Sequence, residues 1–313
     1  MEFKGMQTLV VGLARSGLAA VRLLRRHGAE VTATDLKPAS DLGDAVATCE
    51  AAGARVVAGG PPSEADLAAA ALVVVSPGVP SDLPELEALR ERGVPVFSEL
   101  ELGFRFCRAP IAAITGTNGK TTTAHLLHAM VRDAGRETAL AGNVGTAFCD
   151  VAETLPRDGI AVLEVSSFQL ECIHAFRAEA AAILNITPDH LDRYRSMQAY
   201  VEAKAAIMRN QAESDVMVLN GRDKYTPLLA AQAKGRVLKF AALPPGEAGV
   251  WVEDGRVVYR LWNGARGELG AVRDLRIPGP HNLENALAAS ALALAQGLAP
   301  AAITRTLAAF RGV

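Results

Sequence analysis

The chain has 313 residues, half of them apolar, and a formal net charge of −2. That length allows about two domains with sizeable cores, and the near balance of charge excludes a basic or acidic surface for nucleic acid or an anionic membrane. Four scattered cysteines (Cys49, Cys107, Cys149, Cys172), none in Cys-x-x-Cys spacing, argue against a zinc knuckle or disulfide framework and fit reduced thiols in a cytoplasmic protein. The first residues carry no signal-peptide pattern, and the Ala-rich stretch 65–75, interrupted by Asp66, is too short to span a bilayer.

The N-terminal stretch has a strand–helix–strand rhythm. Residues 8–11 read as a strand, Gly12-Leu-Ala-Arg-Ser-Gly17 as a tight turn, and 18–27 as an amphipathic helix closed by Gly28. Residues 30–34 form the next strand, ending at Asp35. This is a variant of the dinucleotide fingerprint, with Ala14 at the middle glycine and Asp35 in the place of the ribose-binding acid. It predicts a Rossmann-like layer for a nucleotide-like ligand, and the altered glycine argues against NAD. A third strand at 72–76 runs into Ser76-Pro77-Gly78-Val79-Pro80. Open α/β sheets place ligands at such strand ends, although a proline-set turn alone reads the same way. Residues 94–97 give the last strand of this unit and 99–106 a connecting helix.

A second unit opens on Thr115-Gly-Thr-Asn-Gly-Lys-Thr-Thr-Thr123, between an apolar run at 111–114 and helical periodicity at 121–131. Strand, Gly-rich turn and helix N-terminus together make an anion cradle. Backbone N–H groups and the helix dipole point at phosphate, Lys120 adds charge, and the Thr121 hydroxyl is a Mg²⁺ ligand candidate. The pattern departs from G-x-x-x-x-G-K-[ST], because Ile114 stands where the first glycine belongs. What remains is Gly116-Thr117-Asn118-Gly119-Lys120-Thr121-Thr122, read as nucleotide-binding.

Further buried-strand runs lie at 160–163, 180–184 and 216–219, separated by helices, notably 197–208. Their alternation predicts a mostly parallel sheet with helices on both faces. Residues 236–278 break into short β-prone pieces and predict a small antiparallel excursion, followed by helices at 282–296 and 300–310. The expected domains are 1–97 and 98–313 of an α/β protein.

Glu164 ends the 160–163 strand, followed by the polar Val165-Ser166-Ser167-Phe168-Gln169-Leu170. It reads as a Mg²⁺ ligand or as a surface glutamate at a strand end. Asn185-Ile-Thr-Pro-Asp189-His190-Leu-Asp192-Arg-Tyr194 follows another apolar run, making His190 a candidate for a shared metal site. Asn143 lies between glycines that let backbone approach a ligand. In His281-Asn282-Leu-Glu-Asn285, Asn282 reads as a helix cap, or with Asn285 as a paired amide site for a purine.

With these residues in view, the chain resembles the Mur ligases, most closely the family that adds D-glutamate to UDP-N-acetylmuramoyl-L-alanine. The matching stretches are 12–17, 76–80, 99–104, 116–122, 142–145, 164–171, 189–194 and 281–286. The resemblance implies ATP and Mg²⁺ as cofactors, with Lys120 on the β/γ-phosphates and Thr121 on the metal between them. It implies a second Mg²⁺ held by Glu164 and His190 and supported by Lys204, which falls where the family has a carbamylated lysine. A solvated helix lysine would look the same in sequence. Asn143 would touch the muramoyl group. Leu13, Ala14, Arg15, Asp35, Leu36 and Lys37, with the Ser76-Pro77-Gly78 turn, would line the UDP pocket, where Leu36 replaces a more polar residue. Asn282 and Asn285 would face adenine. Catalytic roles fall to Lys120, Lys204 and His190.

The implied reaction is ATP-dependent amide formation through an acyl phosphate, in a cytoplasmic monomer with neither nucleic acid nor membrane as partner. The chain ends near what resembles the close of the family's central domain, so the amino-acid-binding third domain is expected to be missing and ligation incomplete. Rival readings are a Mur-type ligase for another amino acid, a non-catalytic nucleotide-binding module, and, weakest, an NAD dehydrogenase.

Overall fold

The computed structural model describes residues 2–190 and 192–312; Leu191, inside the 189–194 motif, lies outside the described residues. Packing divides the chain into two units. The first holds Met1–Cys107, Thr146–Thr154 and Phe168–Phe176; the second holds Arg108–Gly145, Leu155–Ser167 and Arg177–Val313. The single break expected at 97/98 is thus not where packing divides the chain. The connecting helix Glu99–Phe106 belongs to the first unit, and two later stretches return to it.

In the first unit, the described residues form a five-stranded sheet of order β3-β2-β1-β4-β5. Its strands are β1 (Gln7–Val11), β2 (Glu30–Asp35), β3 (Arg55–Ala58), β4 (Leu72–Val75) and β5 (Val96–Ser98). All neighbouring pairs are parallel. β3 was not read from sequence, so the expected third strand is the fourth. As a short edge strand with only partly buried residues, β3 lacks the apolar run that marks β4. The first helix begins at Arg15 rather than residue 18, and Gly17 lies inside it. A Cβ at Gly17 would stand 1.9 Å from the Gly12 carbonyl oxygen, so only glycine lets the helix approach the β1 turn this closely.

Two buried carboxylates hold the later stretches in this unit. Glu99 Oε1 accepts from the Cys149 N–H at 2.6 Å. Glu101 accepts from the backbone N–H groups of His174, Ala175 and Phe176 at 2.9, 2.9 and 2.7 Å, and pairs with Arg105 at 2.6 Å. Arg22 adds a bidentate pair with Asp150 at 2.8 and 2.7 Å. Ala147 and Cys149 join the apolar core around Leu23, Leu24 and Leu102.

The second unit carries a nine-stranded sheet among the described residues, in the order β14-β13-β12-β11-β10-β9-β6-β8-β7. Its strands are β6 (Ile111–Thr115), β7 (Thr138–Gly142), β8 (Ile160–Glu164), β9 (Ala180–Ile183), β10 (Val216–Asn220), β11 (Arg236–Ala241), β12 (Gly249–Glu253), β13 (Arg256–Arg260) and β14 (Arg266–Ala271). Pairing is parallel from β7 through to β12, and only β12-β13-β14 are antiparallel. The helices Lys120–Asp133, Pro280–Ala295 and Pro300–Ala309 share one core with these strands. No helix among the described residues is long and apolar enough to cross a membrane.

Candidate nucleotide site around the phosphate loop

β6 runs through Ile114, which is fully buried and pairs with Glu164 on one side and Ala182 on the other. The strand therefore occupies the position where a longer phosphate loop has its first glycine. The loop is only Gly116–Gly119, and the helix starts at Lys120. Gly119 has φ 86°, and a Cβ there would lie 2.2 Å from Asn285 Oδ1. Close approach of two elements thus requires glycine at that point.

The register that pairs Ile114 with Glu164 brings the Glu164 carboxylate to the start of the phosphate-loop helix. Thr121 Oγ1 donates to Glu164 Oε2 at 2.8 Å and Asn143 Nδ2 donates to Glu164 Oε1 at 3.0 Å. Glu164 is 2% exposed, so it is not a solvated strand-end glutamate.

Lys120 Nζ donates to the carbonyls of Gly116 and Thr117, each at 2.9 Å. Lys204 Nζ donates to the same Gly116 carbonyl at 3.0 Å and sits 4.4 Å from the centroid of the Tyr200 ring. At 2% exposed, Lys204 is not a solvated helix lysine either. Burial is the main cause that lowers its pKa to about 7; Lys120 lowers it further and Asp189 opposes. Burial also lowers the Lys120 pKa, against the pull of Glu164 and Asp189. Tyr200 was missed in sequence; its signal was its place one helical turn before Lys204 on the same face.

Asn185, also unassigned in sequence, grips the loop. Its Oδ1 accepts from the Asn118 N–H at 2.8 Å and its Nδ2 donates to the Asn118 carbonyl at 3.0 Å. His190 lies five residues further on, exposed, with φ 52° and Nε2 3.6 Å from Asp189 Oδ2. Among the described residues, no three His, Cys, Asp or Glu side chains form a metal-binding group.

Beside the loop opens a cleft of about 510 Å³, within the range of small-molecule sites, lined by Asn118, Gly119, Thr122, Asn185, His281 and Asn285 among others. The helix behind it starts at Pro280 with Gly279 as its N-cap, so Asn282 is not the cap that one reading of the sequence made it. Its Nδ2 donates to the Pro278 carbonyl at 2.8 Å, and its Oδ1 accepts from Asn285 Nδ2 at 3.3 Å. The two amides are therefore paired.

In the first unit, Asp35 receives the Leu13 N–H at 2.8 Å on Oδ2 and the Lys37 N–H at 2.9 Å on Oδ1. It fixes the turn containing Ala14 and Arg15 as well as its own. Ser76 Oγ donates to the Gly12 carbonyl at 2.7 Å, tying the Ser76-Pro77-Gly78 turn to the end of β1. Leu36 is 73% exposed beside them.

The Mur ligase middle domain matches residues 114–293, and the N-terminal domain of MurD-like Mur ligases matches 6–98. The chain is 41% identical over 314 residues to the UDP-N-acetylmuramoylalanine–D-glutamate ligase of Alkaliphilus oremlandii, covering 100% of this chain and 69% of that one. It is 42% identical over 313 residues to the protein of the same description from Pelotomaculum thermopropionicum, covering 100% and 68%. Among solved structures, the UDP-N-acetylmuramate:L-alanyl-γ-D-glutamyl-meso-diaminopimelate ligase from Neisseria meningitides superposes with TM-score 0.62 at 21% identity, over 98% of this chain and 99% of that one. MurC from Thermotoga maritima gives 0.54 at 23%, over 98% and 69%. These two likenesses concern the fold. The middle-domain match spans the phosphate loop, Glu164 and Asn285, and the identity to full relatives runs the length of the chain. This protein therefore belongs to the Mur ligase family, in the branch of the UDP-N-acetylmuramoylalanine–D-glutamate ligases.

Proposed function

We propose that this chain supplies the ATP and precursor sites of a ligase that joins D-glutamate to UDP-N-acetylmuramoyl-L-alanine in peptidoglycan precursor synthesis. The observation that carries this reading is the convergence of the phosphate loop, Glu164 and Lys204 at the end of β6. In the reaction, the L-alanyl carboxylate attacks the γ-phosphorus of ATP, giving an acyl phosphate and ADP. The D-glutamate amine then attacks the acyl carbon, phosphate leaves, and the nitrogen gives up a proton. Positioning and charge neutralisation are the main services a protein gives to phosphoryl transfer.

The resemblance supplies the residue roles, and the geometry around the phosphate loop supports those of Lys120, Thr121 and Glu164. The N–H groups at the start of the helix Lys120–Asp133 receive phosphate oxygens, and Lys120 exchanges the loop carbonyls for the β/γ-phosphates. Asn282 and Asn285, already paired beside the cleft, face the base. Leu13, Ala14, Arg15, Asp35, Leu36, Lys37, Ser76, Pro77 and Gly78 serve the UDP part, and Asn143 the muramoyl part.

Mg²⁺ prefers hard oxygen donors and keeps several waters. The Glu164 carboxylate and the Thr121 hydroxyl, 2.8 Å apart, fit such an ion. Bound Mg²⁺ supplies positive charge to the phosphate oxygens. As an amine Lys204 is no metal ligand. A buried amine with a pKa of about 7 is, however, about half in the neutral form at pH 7, and that form adds CO₂ with loss of a proton to give a carbamate that would offer oxygen. His190, on the 185–190 loop, is assigned with Glu164 to the second Mg²⁺ that the resemblance implies, and Thr121 to the Mg²⁺ between the phosphates. A cytoplasmic location and a monomeric state complete the proposal.

Calorimetric titration of the protein with Mg·ATP, UDP-N-acetylmuramoyl-L-alanine and NADH tests the reading. Binding of the first two and not of NADH is expected; no binding of the UDP compound, or preference for NADH, overturns it. A panel of amino acids in an ADP-release assay of a ligase of the relatives' full length tests the choice of D-glutamate.

A further inference from the structure

The phosphate loop and the loop after β9 are zipped together along their length. The Leu184 N–H donates to the Thr115 carbonyl at 3.0 Å, and the Thr117 N–H to the Asn185 carbonyl at 2.9 Å. The Thr187 N–H donates to Thr117 Oγ1 at 3.1 Å. The same hydroxyl lies 3.2 Å from the Thr187 carbonyl and 3.3 Å from the Tyr200 hydroxyl. The Asn185 side chain closes the zip by taking both the N–H and the carbonyl of Asn118.

We infer that Asn185 and Thr117 are positioning residues that splice the phosphate loop to the 185–190 loop, so that nucleotide capture and the placement of His190 are coupled. The inference deepens the nucleotide reading of the loop and rests on it. Its physical basis is the freedom of a four-residue loop bounded by Gly116 and Gly119. Left unheld, the Asn118 peptide would have to be ordered when phosphate binds, which costs affinity. A primary amide that satisfies both the N–H and the carbonyl of Asn118 fixes the two peptide planes flanking that residue beforehand. It also commits the Asn118 and Thr117 N–H groups to the neighbouring loop, leaving phosphate to the N–H groups that follow, at the helix start. Aspartate at 185 keeps the acceptor but turns the donor into a carboxylate oxygen facing the Asn118 carbonyl. Valine at 117 keeps the shape and removes every hydroxyl contact, whereas serine keeps the hydroxyl.

The test measures Mg·ATP affinity by calorimetry, together with the His190 ring signals by NMR, in the wild type, Asn185→Asp, Thr117→Val, Thr117→Ser and the Asn185→Asp/Thr117→Val double variant. Loss of one hydrogen bond with an oxygen–oxygen repulsion in its place, or of the Thr117 hydroxyl contacts, corresponds to roughly tenfold in affinity. About tenfold weaker binding is expected for Asn185→Asp and for Thr117→Val, with near-normal binding for Thr117→Ser. The double variant should lose much less than the product of the single losses, since both break one zip. Saturating Mg·ATP should move the His190 signals in the wild type and move them less in the weakened variants. Affinities within twofold of wild type with an unchanged His190 response, or losses that simply multiply, overturn the inference. Should Asn185→Asp fail to fold, the valine and serine pair at 117 decides alone. A wild type that does not bind Mg·ATP fails differently: it removes the nucleotide reading, and the inference with it.

Discussion

Lys120 and Lys204 converge on a single oxygen: both ammonium groups donate to the Gly116 carbonyl, at 2.9 and 3.0 Å. A buried and a half-buried cation on one acceptor cost stability, and a fold retains such a pair where chemistry needs it. Lys204→Met keeps the volume, removes one charge and leaves Gly116 its bond to Lys120. We expect it to stabilise the fold by about 1–2 kcal/mol in urea denaturation. Assayed in a ligase of the relatives' full length, D-glutamate-dependent ADP release should fall at least about 100-fold. A destabilised Lys204→Met with normal turnover would contradict both halves.

Gly119 sits where the loop touches Asn285. Gly119→Ala places a methyl group 2.2 Å from Asn285 Oδ1 and forces alanine to φ 86°. Mg·ATP affinity should drop by more than about tenfold, with stability falling by roughly 2 kcal/mol. Adding Asn285→Ala removes the clash and leaves only the backbone penalty of about 1 kcal/mol. Thermal melts of the single and double variants measure the difference; no recovery in the double variant counts against the clash.

Restoring the longer glycine pattern should harm the protein. Ile114 is fully buried in the core and paired on both sides, so Ile114→Gly opens a cavity within β6. The expected loss is about 3–5 kcal/mol in chemical denaturation. A loss below about 1 kcal/mol would mean that the strand does not need a side chain there.

Glu101 is 0% exposed and receives three consecutive backbone N–H groups and Arg105. Glu101→Ala leaves those donors and a cation without their acceptor, a cost of at least about 3 kcal/mol. Hydrogen exchange should show residues 174–176 losing protection first, and unchanged protection there would refute the clasp.

Glu99 behaves in the opposite way. Burial raises its pKa to about 7, against the hydrogen bonds from Cys149, and its Oε2 has no hydrogen-bond partner among the described residues. Below pH 4.5 the carboxyl is protonated in folded and unfolded chains alike, and it carries no penalty. Between about 4.5 and 7 the unfolded chain releases the proton that the fold keeps, so stability is lost as pH rises. Above about pH 7 the loss stays constant at roughly 3 kcal/mol. Glu99→Gln keeps the bond to the Cys149 N–H and should be the more stable protein at pH 8, with the gap closing towards pH 4.5. Parallel urea titrations across that range check it; a gap that does not change with pH would disprove the assignment.

The fold classes were legible because their signals are local. Apolar runs marked β4, β6, β8, β9 and β10, and glycines marked the turns that follow β1 and β6. β3, β7 and β14 escaped. The first two are half-exposed edge strands, and Arg266–Ala271 carries two glycines and two charged residues, so none shows the period of a strand. The Glu164–Glu171 stretch reads as one motif, yet packing assigns Glu164 to the second unit and Phe168–Phe176 to the first.

The sequence by itself determined the phosphate loop, the position of Glu164 at a strand end and the family resemblance, all of which depend on residues adjacent in the chain. Tertiary structure alone decided that Lys204 is buried against Gly116, 88 residues away, and that Asn185 grips Asn118 across 67 residues. It also decided that Glu101 clasps residues 174–176, some 73–75 positions on. No local period encodes such pairings. The first two arise from sheet register, which sets β8 and β9 on either side of β6 and thereby fixes what can face the loop at its end.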